Sequence, residues 1–134
     1  MMMYMGAIAN DGRAVQPKIL HSVKFSNGIP ASFPWKSWTK RMIEEDTAMI
    51  LQNMMRNNVE DNYGSDNYPD LNICAKSGTA EVGDDKRPNA WFAGFLKDED
   101  HPYAFIVLVE NGGFGSQVAG SVANDVLQEI VEKY

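Results

Sequence analysis

The sequence predicts an α+β fold in which a three-stranded antiparallel sheet packs against helices from both ends of the chain. Three strand-like segments follow one another at residues 71–82, 90–96 and 103–110, and the connections between them are short and polar, as antiparallel hairpins require. Apolar residues recur at helical spacing over residues 43–59 and 118–131, which predicts a middle helix and a C-terminal helix. The residues predicted to form the apolar side of the last helix are Val118, Val122, Val126, Leu127, Ile130 and Val131.

The N-terminal third adds one helix and one hairpin. Residues 1–9 are apolar on every side and end at Asn10-Asp11-Gly12, so we expect a helix that is buried all round. Residues 15–25 are strand-like, and Asn27-Gly28 is a strong hairpin-turn signal. We therefore expect residues 29–33 to return as a second strand.

A polar connection precedes the first strand of the predicted sheet. Residues 60–70 contain Gly64 and Pro69 among acidic and amide side chains. This composition predicts a mobile surface loop.

Composition limits the function classes that the chain can serve. Its 134 residues suffice for one domain with one hydrophobic core. The net charge of −6, without a cluster of lysines and arginines, argues against a nucleic-acid partner. Nothing in the sequence resembles a signal peptide or a membrane span. The single cysteine, Cys74, lies among apolar neighbours and is interpreted as a buried strand thiol.

Three short strings contain the residue types of serine acyl-transfer sites. They are Ser37-Trp38-Thr39-Lys40, Ser65-Asp66-Asn67 and Lys76-Ser77-Gly78-Thr79. Strings of the types SxxK, SDN and KSG or KTG together mark penicillin-recognising serine enzymes. The weight of each string depends on its surroundings and on its order in the chain.

A longer set of segments carries a resemblance to one family. In order, the segments read MGAIANDGRAVQPKIL, AKSGTAE, AWFAGFL and VLVENGG. This set resembles the C-terminal half of the transpeptidase domain of penicillin-binding proteins, closest to the monofunctional class B type, from Met2 to about Glu129. The resemblance implies that residues 1–134 form a partial transpeptidase domain, whose three strands belong to a larger five-stranded sheet completed by a missing N-terminal half. It also implies a parent protein on the outer face of the bacterial cytoplasmic membrane, anchored upstream of this chain.

The resemblance assigns substrate-binding roles to the residues of the KSGT string. Lys76 would supply positive charge, and Ser77 and Thr79 would offer hydroxyls to the carboxylate of a D-Ala-D-Ala stem peptide or a β-lactam. Gly78 would let the ligand approach the backbone closely, and the Thr79 N–H would correspond to an oxyanion donor. The family chemistry needs no metal and no cofactor. Two departures, Ser77 in place of the commoner threonine and Ala75 in place of a common glycine, keep the assignment intact.

The other two strings are interpreted as coincidences. Ser37–Lys40 leads into Arg41 and three acidic residues, which predicts a solvated helix entry and not the buried apolar helix of the family motif. Ser65–Asn67 lies directly before the KSGT strand, whereas the family motif lies far upstream of it. We therefore expect no catalytic residue in this chain, with the nucleophile and the base located upstream, and no acylation of the chain by penicillin.

Two alternatives and one interaction remain open from the sequence. The chain could derive from a β-lactamase or β-lactam sensor, which share the fold and the motif. It could also be a non-catalytic interaction module that retains the fold and uses the sheet edge or the hairpin to bind a partner. The family resemblance further implies that strand 103–110 lacks its partner strands from the N-terminal half, which predicts that its edge is exposed or used for self-association.

Overall fold

The computed structural model describes residues 1–19, 23–32, 37–83 and 85–133. The elements in chain order are α1 (Met2–Ala9), β1 (Val23–Lys24), β2 (Pro30–Ser32), α2 (Glu45–Asn57), a π-helical turn (Asn58–Gly64), a 3₁₀ turn (Ser65–Asn67), β3 (Ile73–Ala80), β4 (Asn89–Leu96), β5 (Ala104–Val109) and α3 (Val118–Lys133).

The main sheet has the order β3-β4-β5, and both strand pairs are antiparallel. Lys76 is paired with Ala93, which in turn is paired with Ile106, so one register runs across all three strands. The strands are joined by short connections, as the polar turns in the sequence predict. The predicted α+β class and three-stranded antiparallel sheet are confirmed.

Each face of the sheet supports its own apolar cluster, because successive side chains along a strand point to opposite faces. On one face, α3 covers Phe92 and its neighbours on β3. On the other face, Cys74 and Phe95 pack against Ile8 of α1 and Met55 of α2. The first cluster is the larger, and its fully or nearly fully buried members include Val59, Tyr68, Leu71, Ile73, Ala75, Ala90, Phe92, Leu96, Ala119, Ala123 and Leu127.

The packed side of α3 differs from the predicted one. Ala119, Ala123 and Leu127, spaced four residues apart, are buried against the sheet, whereas Val122 and Val126 are exposed. Small side chains let a helix approach the sheet closely, and this close approach fixes the buried stripe. The prediction of the helix is confirmed, but the assignment of Val122 and Val126 to its buried side is wrong.

The first helix is also less buried than its composition indicates. Only Ala7 and Ile8 are buried, while Met1, Met2 and Tyr4 are exposed. α1 contacts the sheet and α2 from one side, so its remaining apolar surface faces outward. The expectation of a helix buried all round is therefore wrong. Within the described ranges, no helix is both long and apolar enough to cross a membrane.

The small hairpin forms around its predicted turn. β1 and β2 are antiparallel, and Gly28 between them adopts a φ of +83°, a value that favours glycine. The strand predicted from Val15 is interrupted, because Val15 makes only an isolated bridge to Trp38 and Ile19 is fully exposed. Residues 20–22 of the predicted strand, and residue 33 of its partner, lie outside the described residues.

Residues 60–67 form helical turns in place of the predicted loop, and only residues 68–70 are bends and turns. The chain continues from α2 through the π-helical turn, and Met55, Val59 and Tyr63 point toward the apolar clusters at a spacing of four residues. Arg56 forms an ion pair with Glu60 at 2.7 Å across this continuation. The polar residues of the segment therefore occupy the outer side of a helical extension whose inner side is apolar.

Candidate substrate-docking edge

The KSGT string lies on the second half of β3, at the edge of the main sheet. The preceding residues Ile73–Ala75 are buried, whereas Lys76 and Thr79 are exposed and Ser77 and Gly78 are half-buried. The apolar first half anchors the strand in both clusters. The polar second half projects from that anchor as an accessible strand edge.

The hydrogen-bond pattern of the sheet determines which backbone groups face outward. The Lys97 N–H donates to the Asn72 carbonyl at 2.7 Å, so Asn72 bonds toward β4. In an antiparallel pair, alternate residues bond to the partner strand. The residues that bond toward β4 are therefore the even-numbered ones, and the backbone groups of Ile73, Ala75, Ser77 and Thr79 point to the free edge.

Three side chains occupy part of this edge. The guanidinium of Arg56 donates to the Ile73 carbonyl at 3.2 Å, and the hydroxyl of Tyr63 accepts from the Ser77 N–H at 2.9 Å. The ammonium of Lys76 donates to the Ser77 carbonyl at 2.6 Å. In the part of the chain that the structure describes, no residue hydrogen-bonds to the outward Thr79 backbone. Thr79 is thus the open backbone position of the string.

The polar groups of the string converge on this open position although their side chains alternate. The side chains of Ser77 and Thr79, two residues apart, lie on one face of β3, and the side chain of Lys76 leaves the strand on the other face. Its hydrogen bond to the Ser77 carbonyl brings the ammonium to the strand edge. The edge therefore combines a cation, two hydroxyls and a free backbone N–H, which are suitable donors for a carboxylate or an oxyanion.

Gly78 is confined by its pairing partner in β4. A Cβ added to Gly78 would lie 3.3 Å from the Cβ of Trp91, a tighter approach than ordinary packing allows. This neighbour gives an internal reason for glycine, beside the close approach of a ligand that the family resemblance implies.

Tyr63 is the site residue that sequence reasoning missed. Its hydroxyl lies 3.0 Å from the Ser77 Oγ in addition to accepting from the Ser77 N–H. The residue falls in the segment predicted to be a loop, and that prediction does not place it near the KSGT string. The available signal was its spacing from Met55 and Val59, which continues the apolar side of α2 by one more turn.

The SxxK-like string has the wrong geometry for a catalytic helix. Residues 37–40 are not helical, and the solvated helix entry predicted after them lies at its acidic residues, where Glu44 caps α2 and the exposed Glu45 and Asp46 form the first turn. The Ser37 hydroxyl donates to Gln16 Oε1 at 2.9 Å, and Lys40 is exposed. Trp38 bridges to Val15, which keeps this segment extended.

The SDN string forms the 3₁₀ turn after the helical extension. Asn67 donates from Nδ2 to the Tyr63 carbonyl at 2.6 Å, so it supports the local turn. Among the described residues, neither Ser37, Lys40 nor Ser65 hydrogen-bonds to the KSGT string.

Cys74 is fully buried on the face of β3 that packs against α1 and α2. Burial raises the pKa of its thiol, which favours the unreactive protonated form. This confirms the interpretation of Cys74 as a buried strand thiol. Across residues 1–19, 23–32, 37–83 and 85–133, no group of three or more His, Cys, Asp or Glu side chains is arranged to hold a metal ion.

Comparisons with known proteins identify one family. The model of the penicillin binding protein transpeptidase domain matches residues 1–131. The chain is 32% identical over 109 residues to the peptidoglycan D,D-transpeptidase PbpA of Mycolicibacterium smegmatis, and 30% identical over 131 residues to PbpA of Mycobacterium tuberculosis. These matches cover 79% and 93% of this chain but only 22% and 26% of the two relatives. The chain thus spans about a quarter of the length of the curated relatives it matches.

Solved structures show the same relationship. Penicillin-binding protein A from M. tuberculosis, as an imipenem acyl-enzyme complex, superposes with a TM-score of 0.84 at 25% identity, over 97% of this chain and 29% of that chain. The D,D-transpeptidase domain of a peptidoglycan glycosyltransferase from Eggerthella lenta gives a TM-score of 0.84 at 26% identity, over 98% of this chain and 31% of that chain. The chain therefore belongs to the transpeptidase family of penicillin-binding proteins, with class B members as its relatives.

Proposed function

We propose that this chain forms the substrate-docking wall of a peptidoglycan D,D-transpeptidase site. Its ligands are D-Ala-D-Ala stem peptides and β-lactams, which bind along the outer edge of β3. The observation that carries the proposal is the outward Thr79 N–H beside the Lys76 ammonium and the Ser77 hydroxyl. A strand edge with these groups can take up a peptide backbone while it binds the carboxylate at the end of that peptide.

Each residue of the KSGT string has a separate task in this proposal. Lys76 neutralises the ligand carboxylate, and the hydroxyls of Ser77 and Thr79 donate hydrogen bonds to it. The Thr79 N–H stabilises the oxyanion of the acyl-transfer intermediate, a contact whose loss costs about 3 kcal/mol of barrier in a comparable site. Gly78 keeps the backbone accessible between them.

The relatives support this assignment of ligands. The two curated relatives are named peptidoglycan D,D-transpeptidases, and the penicillin-binding protein A structures include imipenem and ceftriaxone acyl-enzyme complexes.

An acyl-enzyme requires a nucleophile. We assign no nucleophile to residues 1–134, since Ser37 is bonded to Gln16 in an extended segment. The nucleophile and base belong to an upstream part of the domain, and the parent protein acts on the outer face of the cytoplasmic membrane.

The test is an NMR titration of the isotope-labelled chain with an acylated D-Ala-D-Ala peptide. We expect shifts in the backbone amides of residues 76–79, with millimolar affinity because the other wall of the site is absent. The matched control is the L-Ala-L-Ala peptide, which should cause smaller shifts at equal concentration. Equal shifts with both peptides, or shifts confined to other elements, would overturn the proposal.

A second measurement addresses the missing nucleophile. The chain is incubated with a fluorescent penicillin and run on a denaturing gel. We expect no covalent band, because in this proposal the nucleophile lies upstream of residues 1–134. A band that maps to Ser37 would contradict the assignment.

A further inference from the structure

We infer that the Tyr63 side chain blocks the edge of β3 next to Ser77. A bound peptide can therefore not continue past Ser77, which restricts binding to peptides that terminate in a free carboxylate at that position. The inference rests on the proposed function and adds a specificity-determining residue to it. It concerns the part of the ligand that would extend beyond the carboxylate, toward the first half of β3.

The first half of the β3 edge is closed to a docking strand. A peptide that added itself to β3 along its whole length would need the outward groups of Ile73 and Ser77 as partners. Arg56 already occupies the Ile73 carbonyl, and Tyr63 already occupies the Ser77 N–H. Both side chains come from the helical segment at residues 45–64, which packs alongside β3. Together they cover this part of the strand edge.

The position of Tyr63 is supported by packing as well as by hydrogen bonds. Its ring makes an edge-to-face contact with Phe92, with the centroids 5.5 Å apart. Phe92 is fully buried and stacks on Tyr68. A ring held in this way by a buried partner is a fixed obstacle, and not a mobile surface side chain that a ligand could push aside.

The direction of the bound peptide follows from the charges. The ligand carboxylate lies beside Lys76 and Ser77, so the rest of the peptide runs away from Tyr63, past Thr79. One more residue after the carboxylate would have to enter the space of the Tyr63 hydroxyl. It would also leave Lys76 without an anionic partner, so Tyr63 and Lys76 select the same feature by steric and electrostatic means.

Tyr63 also prepares the Ser77 hydroxyl for the ligand. The Tyr63 oxygen accepts from the Ser77 N–H, and its own hydrogen can be donated to the Ser77 Oγ at 3.0 Å. In that arrangement the hydrogen of the Ser77 hydroxyl is free to point at the carboxylate.

The experiment compares two peptides on wild-type chain, Tyr63→Ala and Tyr63→Phe. One peptide ends in D-Ala-D-Ala with a free carboxylate, and the other carries two further glycines and ends in an amide, so that it has no terminal carboxylate to place beside Ser77. By NMR titration, wild type should prefer the first peptide by about tenfold or more, and Tyr63→Ala should reduce that preference by about threefold or more, the rest being due to the charge of Lys76. Tyr4→Ala, which removes an exposed tyrosine from α1, is the matched control and should keep the preference.

Amide hydrogen exchange gives a second readout that does not depend on a ligand. In Tyr63→Phe the ring remains but the Ser77 N–H loses its acceptor, so its exchange should become about tenfold faster or more. Unchanged exchange at Ser77, or full peptide discrimination in Tyr63→Ala, would overturn the inference while the proposed function stands. Wild-type chain that binds neither peptide would overturn the proposed function itself.

Discussion

The backbone of Gly115 lies directly on the backbone of Gly78. A Cβ added to Gly115 would come within 3.0 Å of the Gly78 nitrogen and closer still to the carbonyl oxygens of Gly78 and Trp91. The end of the glycine-rich bend at residues 111–115 therefore packs on the paired strands at the point where Gly78 of β3 is paired with Trp91 of β4. The bend has no phosphate-binding spacing, and this contact gives its last glycine a structural reason.

Gly115→Ala should destabilise the chain by about 1–3 kcal/mol, because backbone atoms cannot move aside as a flexible side chain can. Urea unfolding measures the change. Gly6→Ala is the matched control, since a Cβ in that helical position meets nothing within 4 Å and should stabilise α1 by about 0.5–1 kcal/mol. Equal effects of the two substitutions would contradict the packing of Gly115 on β3.

Lys76→Gln should weaken binding of the D-Ala-D-Ala peptide by about tenfold or more, because hydrogen bonds between charged partners contribute more than neutral ones. The exposed position of Lys76 predicts little change in the free energy of unfolding. Titration at low and high salt adds a check, since only the wild type should show a marked loss of affinity with salt. Lys24→Gln, on the distant hairpin, should bind as the wild type does.

The outer edge of β5 should mediate self-association. The Leu96 N–H donates to the Tyr103 carbonyl at 2.9 Å, so by alternation the backbone groups of Ala104, Ile106 and Leu108 point outward. Leu108→Pro removes an outward N–H without breaking a bond to β4, and it should shift the chain toward monomer in sedimentation velocity. Leu108→Thr keeps the N–H and should associate as the wild type does. A wild-type chain that stays monomeric at high concentration would contradict this prediction.

Deprotonation of Tyr68 should lower the free energy of unfolding at alkaline pH. Burial raises the pKa of its hydroxyl from 10.0 to about 12, with a smaller contribution from Tyr63. Because the folded pKa is the higher one, the contribution is complete below pH 10 and is lost as the pH rises from 10 toward 12. The loss amounts to about 2–3 kcal/mol. Urea unfolding at pH 9 and pH 11 measures about half of this loss, because pH 11 lies midway between the unfolded and folded pKa values, and the stability of Tyr68→Phe should fall less over the same interval. An equal fall in both proteins would show that Tyr68 does not carry the effect.

Local sequence patterns determined most of the main sheet and its helices. The three strands, their antiparallel turns and α3 follow from periodicity and from turn residues, which act over a few neighbouring positions. The same information located Lys76, Ser77, Gly78 and Thr79 on a strand, and the family resemblance supplied their roles, which remain proposals. The patterns also indicated that Cys74 is buried.

Tertiary structure decided which surfaces those elements use. The buried side of α3 depends on how closely Ala119 and Ala123 let it approach the sheet, and the exposure of Met2 and Tyr4 depends on what covers α1. Residues 60–64 are polar enough to be interpreted as part of a loop, yet packing of Tyr63 against the apolar cluster holds them helical. The contact between Tyr63 and Ser77 joins residues whose proximity arises only when that helical segment lies against β3. Strand position follows from local pattern, but the free and closed parts of a strand edge are set by groups distant in the chain.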